Sequence, residues 1–155
     1  MTVEIQATRY EISQHITRVR NLLNTMSWEL LRRGELHDLS KLQTPEIEAL
    51  TEQRLKKSQA KITYNSDEYK AGLKELESAL AHHYANNRHH PQHFKNGVNG
   101  MNLVDLFEMF CDWKASSELH NDGNLRMSIE ENANRFGMSP QLVQIFENSV
   151  DLFNG

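Results

Sequence analysis

Residues 82–94 read HHYANNRHHPQHF and hold five of the eight histidines in this 155-residue chain. A buried imidazole is costly unless its ring nitrogens find partners, and a neutral imidazole is the commonest metal ligand among side chains. Core packing does not require such a density of histidine. The stretch therefore predicts a metal site, and the segments around it are interpreted from that point outwards.

The helix predicted at residues 66–91 leads into this stretch and ends at its proline. Its apolar side repeats every three or four residues, and His83 and Asn87 continue that side. At about 100° per residue, His82 points nearly the opposite way. We therefore expect His83 to be an inward ligand, and His82 to be peripheral, as we also expect for His93.

A further helix is predicted at residues 101–119, after a glycine- and asparagine-rich loop. Carboxylates lie opposite its apolar stripe, and for Asp105 we expect exposure to solvent. Glu108 can orient a ligand imidazole by accepting its second N–H. Asp112 is retained as a ligand, although periodicity alone directs it towards solvent. The stripe expected to face the core consists of Leu103, Leu106, Phe107 and Phe110.

The N-terminal part shows helical periodicity over residues 10–31, with His15 inside the apolar stripe and Gly34 as the predicted stop. Residues 35–41 are expected to form one or two helical turns. Thr44-Pro45-Glu46 is typical of a helix start. That helix should fade near residue 57, before a surface loop at 56–65.

The C-terminal part predicts two more helices between residues 125 and 153. Ser128-Ile129-Glu130-Glu131 resembles a capping box, and Ser139-Pro140 begins the last helix. No strand-like alternation is longer than a few residues. We predict an all-α, single-domain fold over residues 1–155, with the metal-site core at about 10–118.

Composition narrows the class of protein. Apolar residues make up 38% and charged residues 25%, and the net charge of −4 argues against extended nucleic-acid binding. The single cysteine, Cys111, excludes an internal disulfide and suits a reducing compartment. No apolar run approaches the roughly 18 to 20 residues that span a membrane. We expect a cytoplasmic protein with no membrane partner.

The candidate ligands come from separate predicted helices, which is how helical folds build metal centres. Imidazole and carboxylate ligands without a thiolate suit Mn, Fe, Co, Ni or Zn and do not choose among them. We expect one or two divalent transition-metal ions. The candidates are His15, His37, Asp38, His83, His89, His90, Asp105, Glu108 and Asp112.

His15-Ile16-Thr17-Arg18-Val19, then His37-Asp38-Leu39-Ser40-Lys41, with a distant aspartate, resembles the HD-domain superfamily of metal-dependent phosphohydrolases. The resemblance covers about residues 10 to 118. Residues 82–115 are also similar to a small, often phage-encoded family with the pattern HH-x5-HHP-x-HF followed by DL-x-EM-x2-DW. The resemblance implies an HD-like helical bundle and, for a phage-encoded member, action in the host cytoplasm.

The resemblance also implies residue roles. The core ligands would be His15, His37, Asp38 and Asp112, and the additional ligands of dinuclear members would be His83 with His89 or His90. Lys41 matches a lysine that meets substrate phosphate. The glutamate of the nucleotidase branch and the glycine-tyrosine-proline signature of the cyclic-dinucleotide branch are both missing, so the superfamily is better supported than any one substrate.

The function implied is hydrolysis of a phosphate mono- or diester, with a nucleotide as the favoured small substrate. Asp38 and Lys41 would be catalytic, and Lys41, Asn87 and Arg88 would hold phosphate oxygens. Two alternatives stay open: a di-iron oxygenase on the same ligands, and a non-catalytic metal-containing protein that binds a nucleotide or a partner. The sequence also leaves room for a homo-oligomer.

Overall fold

The computed structural model describes residues 2–59, 67–119 and 123–153, with side chains described outside residues 57–75. Those ranges hold helices and turns and no strand, which confirms the all-α prediction. No helix in the described ranges has the length and apolarity to cross a bilayer. The α-helices are α1 (Val3–Leu36), α2 (Glu46–Gln59), α3 (Asp67–Asn86), α4 (Leu103–Glu118), α5 (Leu125–Phe136) and α6 (Pro140–Ser149); short 3-10 helices span Leu39–Leu42, Pro91–His93, Gly97–Gly100 and Val150–Phe153.

The chain divides into two compact units. Residues 1–36 form the first unit, which contains α1, and residues 37–155 form the second. Within the second unit, α2 packs against α3 and against the 3-10 helix Leu39–Leu42. This packing brings together the first turn of α2, the end of α3 and residues 37–41. The prediction of a single domain stays a prediction.

α1 is longer than the sequence indicated, and the prediction that Gly34 ends it is wrong. Gly34 lies inside the helix and does not adopt positive φ. An internal glycine costs a helix only about 1 kcal/mol relative to alanine, so it does not by itself end one. The first residue after α1 with a left-handed backbone is Asp38, with φ of 57°.

Helix starts were predicted with mixed success. α2 begins at Glu46, one residue after the expected Pro45, and α6 begins at Pro140, where Ser139 accepts a hydrogen bond from Leu142 N. The capping box predicted at Ser128 is wrong, because α5 already begins at Leu125. α2 continues to Gln59, so 56–59 are helical rather than loop, and residues 60–65 of that loop lie outside the described residues.

The apolar core of the second unit is enclosed by α4, α5 and α6. Ile129 and Met109 are 0% and 1% exposed. Phe110 stacks on Phe146 with ring centroids 5.2 Å apart, and Trp113 meets the same ring edge-on at 5.4 Å. This core fixes α4 along one side.

The polar side of α4 is buried as well, which reverses the predicted orientation of its outer residues. Asp105 is 0% exposed and Glu108 9%, whereas Leu103 and Phe107 are 77% and 42% exposed. The predictions that Asp105 faces solvent and that Leu103 and Phe107 face the core are wrong. Periodicity assumes an apolar interior, and here one side of α4 faces imidazoles.

Removal of the Ile129 side chain tests the core. Ile129→Ala should lower the free energy of unfolding by about 2–5 kcal/mol, because it leaves a cavity in the packed interior. Met127→Ala is the matched control on the same helix, since Met127 is 58% exposed. Urea unfolding followed by circular dichroism measures both. Equal losses for the two variants would contradict the described core.

Candidate metal centre

The carboxylate of Asp38 lies between the imidazole of His37 and the imidazoles of His83 and His89. Its Oδ1 is 3.5 Å from Nε2 of His83 and 3.5 Å from Nε2 of His89, while its Oδ2 is 3.4 Å from Nε2 of His37. The side chain is 17% exposed. One carboxylate thus presents an oxygen to each of two sets of prospective ligands.

The first set consists of Asp38, His83, His89 and His90, whose ligand atoms all lie within 4.8 Å of one another. His83 comes from the last turn of α3, and His89 and His90 come from the turn that follows it. The Nε2 atoms of His83 and His90 are 2.7 Å apart. This confirms the predicted inward orientation of His83, and it brings both His89 and His90 to the same point.

The second set consists of His37, Asp38 and Asp112, which satisfy the same distance limit. Asp112 Oδ1 lies 3.8 Å from His37 Nε2. α4 therefore contributes to this set, and Asp112 faces the other candidate ligands rather than solvent alone. The two sets share Asp38.

Two further carboxylates bond to the Nδ1 atoms of the imidazoles, on the side of each ring away from Asp38. Glu108 Oε1 accepts from His37 Nδ1 at 2.9 Å and lies 3.1 Å from His89 Nδ1. Glu46, 2% exposed, accepts from Nδ1 of both His82 and His83 at 2.7 Å. A histidine that donates from Nδ1 keeps its Nε2 lone pair available. These bonds therefore stabilise the tautomer of His37 and His83 in which Nε2 can bind a metal ion.

Several buried polar atoms here are suited to a cation. Asp38 Oδ1 and His89 Nε2 lie 3.5 Å apart, and both are buried with no hydrogen-bond partner; His89 is 1% exposed. Such groups cost about 1–3 kcal/mol each when left unsatisfied. A divalent metal ion can be coordinated by a carboxylate oxygen and by imidazole nitrogens at the same time. The residues present therefore fit a metal ion.

The protonation states agree with this reading. Burial and the neighbouring His89 and His83 lower the pKa of His90 to about 3, so its imidazole is neutral. Burial would raise the pKa of Asp38, but the hydrogen bond and charge of Lys41 outweigh it and lower that pKa. The hydrogen bond to Glu108 raises the pKa of His37. A metal ion and a proton compete for His37 Nε2, so metal binding there should weaken as the pH falls.

The three residues predicted to hold phosphate oxygens form hydrogen bonds with other residues of the protein. Lys41 Nζ donates to Asp38 Oδ2 at 2.5 Å. Asn87 is buried and donates to Ser40 Oγ and to His83 O, and Arg88 donates through Nε and Nη2 to Asp105. The phosphate-binding roles of Lys41, Asn87 and Arg88 stay predictions.

His15 belongs to the first unit. It is exposed on α1, and no group of neighbouring ligand atoms in the described residues includes it. Its assignment as a ligand stays a prediction.

Glu46 is the residue that sequence reasoning missed, because its spacing from the histidines becomes meaningful only when α2 packs on α3. Glu108 was expected to orient an imidazole, and its bond to His37 places it to do so.

Fold and site together define an all-helical protein with His/Asp/Glu groups close enough to bind a metal ion. The chain belongs to a family of unknown function, DUF5662, whose model matches residues 4–152. No curated protein and no solved structure matches it.

Replacement of His89 tests the centre. Mn²⁺ or Zn²⁺ titrated calorimetrically into metal-free protein should bind His89→Gln at least about 10-fold more weakly than wild type, since a buried ligand is lost. His93→Gln is the control, because His93 Nδ1 donates to Tyr84 O and lies in none of the ligand groups. Equal affinities for all three proteins would contradict a metal centre at His89.

Replacement of Glu46 tests the outer carboxylate. Glu46→Gln should weaken metal binding by about 10–100-fold, the usual cost of losing a group that orients a ligand imidazole. Glu48→Gln on the same helix is the control, since Glu48 is exposed and accepts from Thr44 Oγ1. If Glu46→Gln binds as tightly as Glu48→Gln, the carboxylate does not orient His83 for a metal.

Proposed function

We propose that this protein is a metal-dependent phosphohydrolase that acts on phosphate mono- or diesters, with nucleotides as the favoured substrates. The observation that supports this most is the Asp38 carboxylate, shared between two sets of nitrogen and oxygen ligands. The similarity of His37-Asp38 and Lys41 to the HD-domain superfamily supports the same class. A cytoplasmic location is part of the proposal.

The residues that would hold metal are those of the two sets around Asp38. A divalent ion bound there would lower the pKa of a bound water to about 7 and polarise a phosphoryl oxygen. The transition-metal ligands are imidazole and carboxylate, which agrees with Mn, Fe, Co, Ni or Zn.

Lys41 is the residue best placed to bind phosphate. Its ammonium donates to Asp38, and its side chain is 43% exposed, so it lies where the ligand groups meet solvent. A phosphate oxygen arriving beside Asp38 would meet this charge, which supplies a strong charge-assisted hydrogen bond. Lys41 would then offset negative charge on the phosphoryl group.

A cavity of about 210 Å³ adjoins the same residues. It is lined by Lys41, His83 and His90 at one side and by apolar residues of α2 and α3, such as Leu50 and Leu80, at the other. Apolar cavities with a few placed polar groups are typical of small-molecule sites. The organic part of an ester bound at Lys41 has room there.

Activity of variants tests the proposal. Metal-loaded protein should release phosphate from, or cleave, at least one ester in a screen of nucleotides and simple phosphate mono- and diesters. Asp38→Asn should abolish turnover with little loss of helix content, because asparagine also tolerates the left-handed backbone of residue 38.

Lys41→Met should lower kcat/KM by about 10–100-fold, the usual value of a hydrogen bond to a charged group. Lys95→Met, at an exposed position, serves as control and should be unchanged. Oxygen consumption by iron-loaded protein without phosphate release would support the oxygenase instead. Tight nucleotide binding without turnover would support the binding protein.

A further inference from the structure

The N-terminal unit presents an apolar helix surface that the proposed chemistry does not use. α1 spans 34 residues, about 51 Å, and none of its residues is buried. An isolated helix gains little from its own backbone, and most helical stability in proteins comes from packing of an apolar face. A long helix with this many exposed apolar side chains therefore indicates an interaction surface.

The spacing of the apolar residues specifies the kind of surface. Six of them follow one another at alternating steps of four and three residues, which is the spacing of the a and d positions of a coiled coil. Apolar residues with this spacing form the row along which two helices pack against each other in a coiled coil. We call this row the α1 seam; it consists of Ile12, Ile16, Val19, Leu23, Met26 and Leu30.

The flanks of the α1 seam also favour a helix partner. A helix that covers a globular surface typically widens its apolar stripe into a flanking row, whereas here the flanks are mostly polar. The flanking rows are Gln6, Ser13, Arg20 and Ser27 on one side and Thr8, His15, Leu22 and Glu29 on the other. They contain no block of like charge that would repel an identical helix.

The charge of α1 argues against a lipid surface as the occupant. Helices that lie on anionic membranes carry a polar face rich in lysine and arginine. α1 contains five arginines and four glutamates, which nearly cancel. The surface is therefore suited to a helix of low net charge with the same apolar spacing, which another α1 supplies.

We propose that α1 pairs along its seam with α1 of a second copy of this chain. A second copy presents the same apolar row, and a two-fold arrangement buries both rows at once. The inference rests on α1 alone and is independent of the metal centre and of any activity.

Light scattering of the full-length protein tests this pairing. Wild type should show the mass of at least two 18.0-kDa chains at micromolar concentration. Leu23→Lys should raise the dissociation constant at least about 100-fold, because each pair loses two buried leucines and gains two charges at the seam. Leu31→Lys is the matched control: both leucines are 62% exposed on the same helix, but Leu31 lies off the seam.

The outcomes separate the occupants. One-chain mass for wild type at every concentration overturns the proposal, as do equal masses for Leu23→Lys and wild type. One-chain mass for wild type together with a lower unfolding midpoint for Leu23→Lys would mean that the seam is covered within its own chain. Should Leu23→Lys lose its helical circular dichroism, Ile16→Gln is the milder seam variant, with the same expected mass shift.

Discussion

The carboxylate of Asp38 is the constraint on which the candidate centre depends, because one oxygen faces His83 and His89 and the other faces His37. The same residue has a left-handed backbone, with a φ of 57°. A left-handed residue other than glycine costs roughly 1–2 kcal/mol, and aspartate is among the few that visit this region routinely. The strain is therefore located at the residue that holds the two ligand sets together, as is common at functional sites.

A second constraint is the balance of charge. Asp38, Glu46, Glu108 and Asp112 place four carboxylates around a small volume, and Lys41 donates to one of them. The raised pKa of His37 reflects the same excess of negative charge. Buried carboxylates are costly unless they are paired or bind metal. Binding of a cation would neutralise charge where the fold has concentrated it, so metal binding and folding of the second unit should be coupled.

The sequence predicted those features that depend on periodicity within one helix. The inward orientation of His83 follows from the geometry of α3 and is confirmed. The prediction that His82 points nearly the opposite way is wrong, because His82 bonds to the same Glu46 carboxylate as His83. α4 could not be predicted in the same way, because one of its sides packs on Phe146 and the other faces the histidines, so apolar periodicity misplaced Asp105 and Phe107. The role of Glu46 depends on how α2 meets α3, which no local pattern contains. The ligand set from His37 to Asp112 was predicted largely by resemblance rather than by spacing.

The stretch at residues 82–94 combines ligands with the groups that hold them in place. His83, His89 and His90 face Asp38, whereas His82 bonds to Glu46 and His93 to the carbonyl of Tyr84. Arg88 pairs with the fully buried Asp105 and lies 4.9 Å above the ring of Phe94, which ties the turn to the start of α4. These supporting bonds need no cation. The turn can therefore hold its imidazoles in place before metal binds, which reduces the ordering cost of binding.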